Sequence, residues 1–260
     1  MFHGRKEVIK ILENKEYELW NGDCLELMKD IPDKSIDMIL CDLPYGTTQC
    51  KWDSVIPFEP LWEQYNRIIK DNGAIALFGS EPFSSYLRMS NIKNYKYDWF
   101  WRKPKGTGFL NAKKQPLRDI ETISVFYKKQ CVYNPQFSIG QPYTSSKVGK
   151  IKDRKRGSTA YGDFVNDPKY INNNDGFRYP KQLIEFGIVE RGGVHPTQKP
   201  VELLEWLIKT YTNENETILD NCMGSGSTGV AALNINRKFI GMELDEKYFQ
   251  IAEKRIQDIV

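Results

Sequence analysis

The chain has 260 residues, enough to bury one substantial core with length left for an inserted segment. Its net charge of +3 is too small to imply a polyanionic partner from bulk charge alone, and no apolar run is long enough to span a bilayer. Five scattered cysteines (Cys24, Cys41, Cys50, Cys131, Cys222) and two histidines argue against a metal centre, a disulfide scaffold and a Ser-His-Asp hydrolase. Reduced thiols and a start without a secretory apolar core point to the cytoplasm.

In chain order, Asp23 to Lys29 reads as a helix start, and Ser35 to Cys41 as a short buried strand. That strand runs into Asp42-Leu43-Pro44-Tyr45-Gly46, a loop punctuated by Pro and Gly. Phe58 to Lys70 has helical spacing, with Asp71-Asn72-Gly73 ending it, and Ala74–Phe78 is a second buried strand. From about Tyr95 the chain becomes aromatic and basic, and Thr122–Tyr127 is another strand candidate. Residues 131–190 lose periodicity and fill with Asn, Gly, Tyr, Lys and Arg, the composition of an insertion or small subdomain. Alternation returns at Val201–Ile208, an amphipathic helix with Pro200 at its first position. The repeated strand–helix order predicts an α/β fold with a mostly parallel central sheet.

Near the C-terminus, the strand Thr217–Asp220 leads into Asn221-Cys222-Met223-Gly224-Ser225-Gly226-Ser227-Thr228-Gly229, and a helix begins at Ser227. Gly224 and Gly226 let the backbone turn tightly and approach a ligand closely. A second strand, Lys238–Glu243, ends in a carboxylate seventeen residues after Gly226, an offset at which an acid hydrogen-bonds ribose hydroxyls in nucleoside-binding sheets. A final helix runs from Asp245 to about Ile259. A glycine loop alone is equally a tight strand-to-helix turn; together with Asp220 and Glu243 it says more. The Lys-Ser/Thr of a phosphate-binding loop is missing, and so is the full dinucleotide spacing. A nucleoside without a pyrophosphate fits better.

Asp42-Leu43-Pro44-Tyr45 follows a parallel strand, where open sheets place their ligands. An exocyclic amine is a poor nucleophile because its lone pair is delocalised into the ring. Two acceptors holding its hydrogens, the Asp42 carboxylate and the Leu43 carbonyl, would draw that lone pair toward a sulfonium methyl. Pro44 would stiffen the turn, and Tyr45 would stack on a base swung out of the duplex. The bland reading is a β-turn after a strand; the distant cofactor unit tips the balance toward chemistry.

These residues resemble the amino-group DNA methyltransferases, adenine-N6 or cytosine-N4, whose catalytic motif is Asp/Asn/Ser-Pro-Pro-aromatic, with Asp more usual in the adenine enzymes. The catalytic motif precedes the glycine loop, which looks like the permuted beta class. The resemblance covers about residues 17–130 and 190–260. It implies a Rossmann-like S-adenosylmethionine-dependent fold in which 1–130 is the catalytic half, 131–190 a target-recognition insertion and 191–260 the cofactor-binding half. In that class Asn21-Gly22-Asp23-Cys24 would meet the cofactor's adenine through Asp23. The segment Gly193-Val194-His195-Pro196-Thr197-Gln198-Lys199-Pro200 matches a family signature, with Lys199 near the methionine carboxylate. The cofactor set is therefore Asp23, Cys24, Asp42, Thr197, Lys199, Asp220, Gly224, Ser225, Gly226, Ser227, Thr228 and Glu243. Two departures stand out: Leu43 replaces the first proline, and Asn221-Cys222 stands where Pro-Phe is common.

Double-stranded DNA is the implied partner. Trp99, Trp101, Arg102, Lys103, Lys105, Lys113, Lys114 and Arg118 interleave aromatics with cations, and Lys147–Arg156 is a basic run suited to phosphates. The resemblance also makes a homodimer possible. Cytosine-N4 methylation is the nearest rival to adenine-N6. Methylation of RNA or a protein glutamine amide, where the motif usually starts with Asn and follows the cofactor loop, fits less well, as does an inactive nucleic-acid-binding module. Carbon-5 cytosine chemistry would need a cysteine after proline, and none occurs; Cys41 reads as a buried strand residue.

Overall fold

A computed structural model describes residues 9–14, 16–46, 54–146, 171–188 and 198–259. The chain divides into a large unit, Met1–Asn134 with Lys181–Val260, and a small one, Pro135–Pro180. The large unit is built on nine strands: β1 (Ile9–Asn14), β2 (Tyr17–Asn21), β3 (Ile36–Cys41), β4 (Ile69–Gly79), β5 (Tyr95–Thr107), β6 (Arg118–Phe126) and, after the small unit, β11 (Leu183–Glu185), β12 (Thr217–Asp220) and β13 (Lys238–Glu243). Their spatial order is β1-β2-β13-β12-β3-β4-β6-β5-β11. Only β1 and β6 run against the other strands, so the central sheet is mostly parallel. The small unit holds β7 (Ser138–Ile139) paired with β10 (Phe177–Arg178) and β8 (Tyr143–Ser146) paired with β9 (Ile171–Asn174). It lies inside the 131–190 span expected as an insertion, but β11 belongs to the main sheet.

Two apolar layers sandwich the sheet, as parallel strands require. Every residue of β3 is buried. Helix α2 (Phe58–Ile68) buries Leu61, Trp62, Tyr65 and Ile68, one face of a 3.6-residue period. Helix α4 (Val201–Tyr211) buries Leu203, Leu204, Leu207, Ile208 and Tyr211 on the other side, with Pro200 at its N-cap rather than its first turn. Short α1 (Cys24–Leu27), α3 (Phe83–Ser90), α5 (Ser227–Asn234) and α6 (Glu246–Gln257) complete the layers. Asp245 caps α6 by accepting from the amides of Lys247 and Tyr248.

Three elements differ from expectation. Asp71-Asn72-Gly73 does not end α2; the helix stops at Ile68 and these residues lie within β4, where the register with β3 shifts between Ile36 and Met38. A Cβ on Gly73 would sit 2.7 Å from the Asp37 carbonyl oxygen, so the glycine serves this close approach instead of a helix stop. Trp99 and Trp101 are not surface aromatics. Both are buried in β5, where Trp99 Nε1 donates to Tyr211 Oη (2.6 Å) and Trp101 Nε1 to the Phe186 carbonyl (3.2 Å). They share one face of the strand, and Lys103 Nζ lies 5.2 Å from the centre of the Trp101 ring. Finally, α3 was not anticipated; it buries Phe83, Ser84 and Leu87. Among the described residues no helix is long and apolar enough to cross a membrane.

Candidate active site

Four adjacent parallel strands, β2, β13, β12 and β3, end on the same edge, and each delivers part of one site. From β2 comes Asp23, whose carboxylate caps α1 through the Leu25 amide (2.9 Å). Glu243 stands at the end of β13, the glycine loop follows β12, and Asp42–Tyr45 follow β3. Ile218 and Leu219 pair with Met38 and Ile39, so the glycine loop and the Asp42 turn leave neighbouring strands side by side. They line one cavity of about 730 Å³, with Asp23, Cys24, Gln198, Lys199, Glu243 and Tyr248 on its walls.

The glycine loop is braced from behind. Asp220, buried, accepts from Thr228 Oγ1 (2.6 Å) and the Cys222 amide (3.1 Å), so its carboxylate is engaged in shaping the turn. Burial pushes its pKa up to about 6, against the pull of those hydrogen bonds. Glu243 accepts from the Gly224 amide (2.8 Å) and the Asp245 amide (2.8 Å), and burial raises its pKa as well. A carboxylate has further lone pairs, so Glu243 orders the loop and still has acceptor capacity toward the cavity. Gly226 sits at φ +78°, and a Cβ there would lie 2.9 Å from Ala252 Cβ. Ser225 and Ser227 hydroxyls take hydrogen bonds from Arg255 of α6 (3.0 and 3.2 Å), a partner that sequence reading missed. Asn221, the departure from Pro-Phe, has a structural reason: it is buried, accepts from Tyr65 Oη (2.5 Å) and directs its amide at Cys24 and Cys222 (3.5 Å each).

At the β3 turn a buried charge network surrounds Asp42. Lys199 Nζ lies 2.6 Å from Asp42 Oδ2 and 2.8 Å from Glu121 Oε1. Tyr45 Oη donates to Asp42 Oδ1 (2.6 Å) and stands 3.2 Å from Glu121 Oε1. Lys103 closes the far side of Glu121 at 2.5 Å. The set is two carboxylates and two ammoniums. Burial opposes the charge on Glu121, yet Lys199 and Lys103 outweigh it and hold its pKa below the usual glutamate value. Burial likewise opposes the Lys199 ammonium, and Asp42 and Glu121 overcome it and raise its pKa. Tyr45 is pushed well above ordinary tyrosine, first by burial and then by the two carboxylates. Its ring stacks on Phe83 at 4.9 Å between centroids.

The structure thus brings Asp42, Leu43, Pro44, Tyr45, Asp23, Cys24, Lys199, Asp220, Gly224, Ser225, Ser227, Thr228 and Glu243 to one cavity, with Gly226 in the loop beneath. Thr197 and His195 lie outside the described residues, as does the basic run 147–156. Lys199, expected beside a methionine carboxylate, is held by Asp42 and Glu121. Glu121 and Lys103 were not anticipated as site residues; Glu121 is a carboxylate at an inward position of a strand, and that alternation was the available signal. Gln198 Oε1 is the buried side-chain polar atom left without a hydrogen-bond partner among the described residues, and it lines this cavity. An orphaned acceptor and acceptor carboxylates at Asp23 and Glu243 beside a glycine loop fit a nucleoside-type ligand carrying an amine.

A family model for DNA methylases matches residues 36–254. The chain belongs to the DNA methylase family. With the Asp42 motif ahead of the glycine loop, it is a beta-class amino-group DNA methyltransferase. Among its relatives, the DNA adenine methyltransferase YhdJ of Escherichia coli (strain K12) is 27% identical over 257 residues, covering 94% of this chain and 83% of that one. Among solved structures, the M1.HpyAVI–SAM complex superposes with a TM-score of 0.60 at 25% identity, over 92% of this chain and 99% of that one. The cytosine-N4-specific PvuII DNA methyltransferase gives a TM-score of 0.62 at 18% identity, over 94% of this chain and 91% of that one, a likeness of fold.

Proposed function

We propose that this DNA methyltransferase transfers a methyl group from S-adenosylmethionine to N6 of an adenine swung out of double-stranded DNA. One observation carries the reading: a single cavity is lined by both the Asp42 turn and the glycine loop, although nearly two hundred residues separate them. The relative named for adenine methylation and the Asp that opens the motif favour adenine over the rival base, cytosine.

The bound cofactor supplies an electrophilic methyl on a sulfonium; everything else falls to the chain. Asp23, Glu243 and the glycine loop would hold its nucleoside and amino-acid parts. Lys199 and Tyr45 fix the Asp42 carboxylate in one orientation, each using one oxygen, and each oxygen keeps a second lone pair for an amino hydrogen. The Leu43 carbonyl is the second acceptor. Held by both, the amine presents its lone pair in line, so the acceleration comes from positioning and fixed charge. Once methylated, the amine gives up its extra proton to water, and Lys199 remains paired with Asp42. With Phe83 on one face of Tyr45, the incoming base stacks on the other.

The test is expression followed by digestion of host DNA to nucleosides and mass analysis, with Asp42→Ala alongside. N6-methyl-2′-deoxyadenosine from the wild type and none from the variant is expected. N4-methylcytosine would transfer the reading to the rival base, and near-normal methylation by Asp42→Ala would remove the role given to that carboxylate.

A further inference from the structure

β5 and β6 form a long antiparallel hairpin whose base contributes Trp101, Lys103, Thr107, Arg118, Ile120 and Glu121 to the cavity wall. The hairpin continues past that wall. Its tip is a compact turn closed by its own backbone: the Asn111 amide donates to Gly108, Ala112 to Phe109, and Lys114 and Gln115 to Asn111, at 2.8–3.1 Å. Gly108 takes φ +92°, which lets the chain enter this turn. Gly106 and Leu117 pack the two legs closely, since a Cβ on Gly106 would stand 2.8 Å from Leu117 Cβ. A locally ordered tip would be expected to fold its apolar side chains inward. Here the reverse holds: Phe109 is 69% exposed and Leu110 fully exposed.

Charge identifies what the tip is made to meet. Between Lys103 and Arg118 there is no acidic residue, and Lys105, Lys113, Lys114 and Arg118 are all exposed. An apolar pair flanked by four cations suits a surface with phosphates at its edges and stacked bases within. Swinging a base out leaves a gap in the stack and costs unstacking energy, which an apolar wedge offsets.

We propose that Phe109 and Leu110 are that wedge: the β5–β6 hairpin tip enters the stack beside the target nucleotide while Lys105, Lys113, Lys114 and Arg118 hold the flanking phosphates. The proposal rests on the DNA-methylation reading above. It deepens that reading by assigning the extrusion step to a segment that touches neither cofactor nor amine.

The experiment compares wild type with Phe109→Ala/Leu110→Ala on two duplexes carrying the site mapped by modified-base sequencing. In one the target base is paired; in the other it faces an abasic position and is already free to leave the stack. The double variant should lose at least tenfold in kcat/KM on the paired duplex and stay within threefold of wild type on the unpaired one, with S-adenosylmethionine affinity unchanged. A 2-aminopurine at the target should brighten on binding wild type and less so with the variant. Lys113→Gln/Lys114→Gln should weaken binding to both duplexes and lower the salt slope of binding by about two. Equal loss on both duplexes, or no loss, overturns the wedge. So does a wild-type dimer that the tip variant converts to monomer, which would give the tip to a second copy of the chain. Methylation of neither duplex by wild type overturns the underlying reading, and the wedge with it.

Discussion

Glu121→Gln isolates the electrostatics of the site. In the wild type Glu121 faces Lys199 at 2.8 Å and Lys103 on its other oxygen, and its side chain is 7% exposed. The substitution preserves shape and leaves the network with two ammoniums to one carboxylate, Lys103 losing its partner. Removing one partner of a buried pair costs about 3–5 kcal/mol. Lys103, 23% exposed, can turn partly to water, which places the loss near the lower figure, about 3 kcal/mol. For a chain of this size that is about 6–12 °C in Tm, read by thermal unfolding. The pH dependence carries a sign. The folded pKa of Glu121 lies below its unfolded value, so its stabilisation is complete above the ordinary glutamate range and is lost as pH falls through the folded value. The gap between wild type and variant should therefore be full at pH 7 and shrink below about pH 4. Adding Lys103→Met restores charge balance and should recover about 1–2 kcal/mol, a coupling typical of residues in one network. Transfer should fall with little change in cofactor affinity, because Asp42 loses its fixed orientation. A Tm change under about 2 °C, or a gap unaffected by acid, would refute the network as a coupled unit.

Asp220→Asn keeps one acceptor for the Cys222 amide and can donate to Thr228, so the turn should survive. Because the folded pKa of Asp220 is raised to about 6, the wild type loses stability as pH rises from about 4 to 6 and is level above that. The variant escapes that loss, by about 3 kcal/mol at most, and a difference between the two that is the same at pH 4.5 and pH 8 would sink the argument. Gly226→Ala forces a side chain into left-handed backbone 2.9 Å from Ala252, which should cost about 2–4 kcal/mol in urea unfolding and abolish S-adenosylmethionine binding. Binding at wild-type affinity would show that the loop tolerates a Cβ.

How much of this was legible in the sequence follows from the range of each interaction. Ile36–Cys41 is buried at every residue and Lys238–Glu243 has buried residues on both faces, so their character is written in consecutive residues. Loops ending on parallel strands inherit their place from the strands, which is why Asp42 and the glycine loop were found. Lys199 shows the other side, because its partners within the chain, Asp42 and Glu121, could not be read from the sequence. A long cation is placed by whichever carboxylates tertiary structure brings within reach, and Glu121 is seventy-eight positions away. Arg255 on Ser225 and Ser227 is the same kind of contact, made between helices with no local pattern to announce it. Trp99 and Trp101 mislead for a related reason: their rings are enclosed by Tyr211, Trp206 and Phe186, residues distant in sequence that no local pattern announces.

The motif order itself becomes intelligible from the sheet. β12 and β3 are hydrogen-bonded neighbours, yet one lies near the end of the chain and the other near its start. A parallel sheet with helices on both faces fixes where a strand's carboxyl end points, not when in the chain that strand is made. Connections can be cut and rejoined at surface loops without moving any strand end, so the donor loop and the acceptor turn keep their mutual geometry whichever comes first. What such a rearrangement cannot spare is the pairing of Ile218–Leu219 with Met38–Ile39, the contact that puts the two loops on one edge. The chemistry of this chain therefore depends on a strand register, and only through it on the residues that the register delivers.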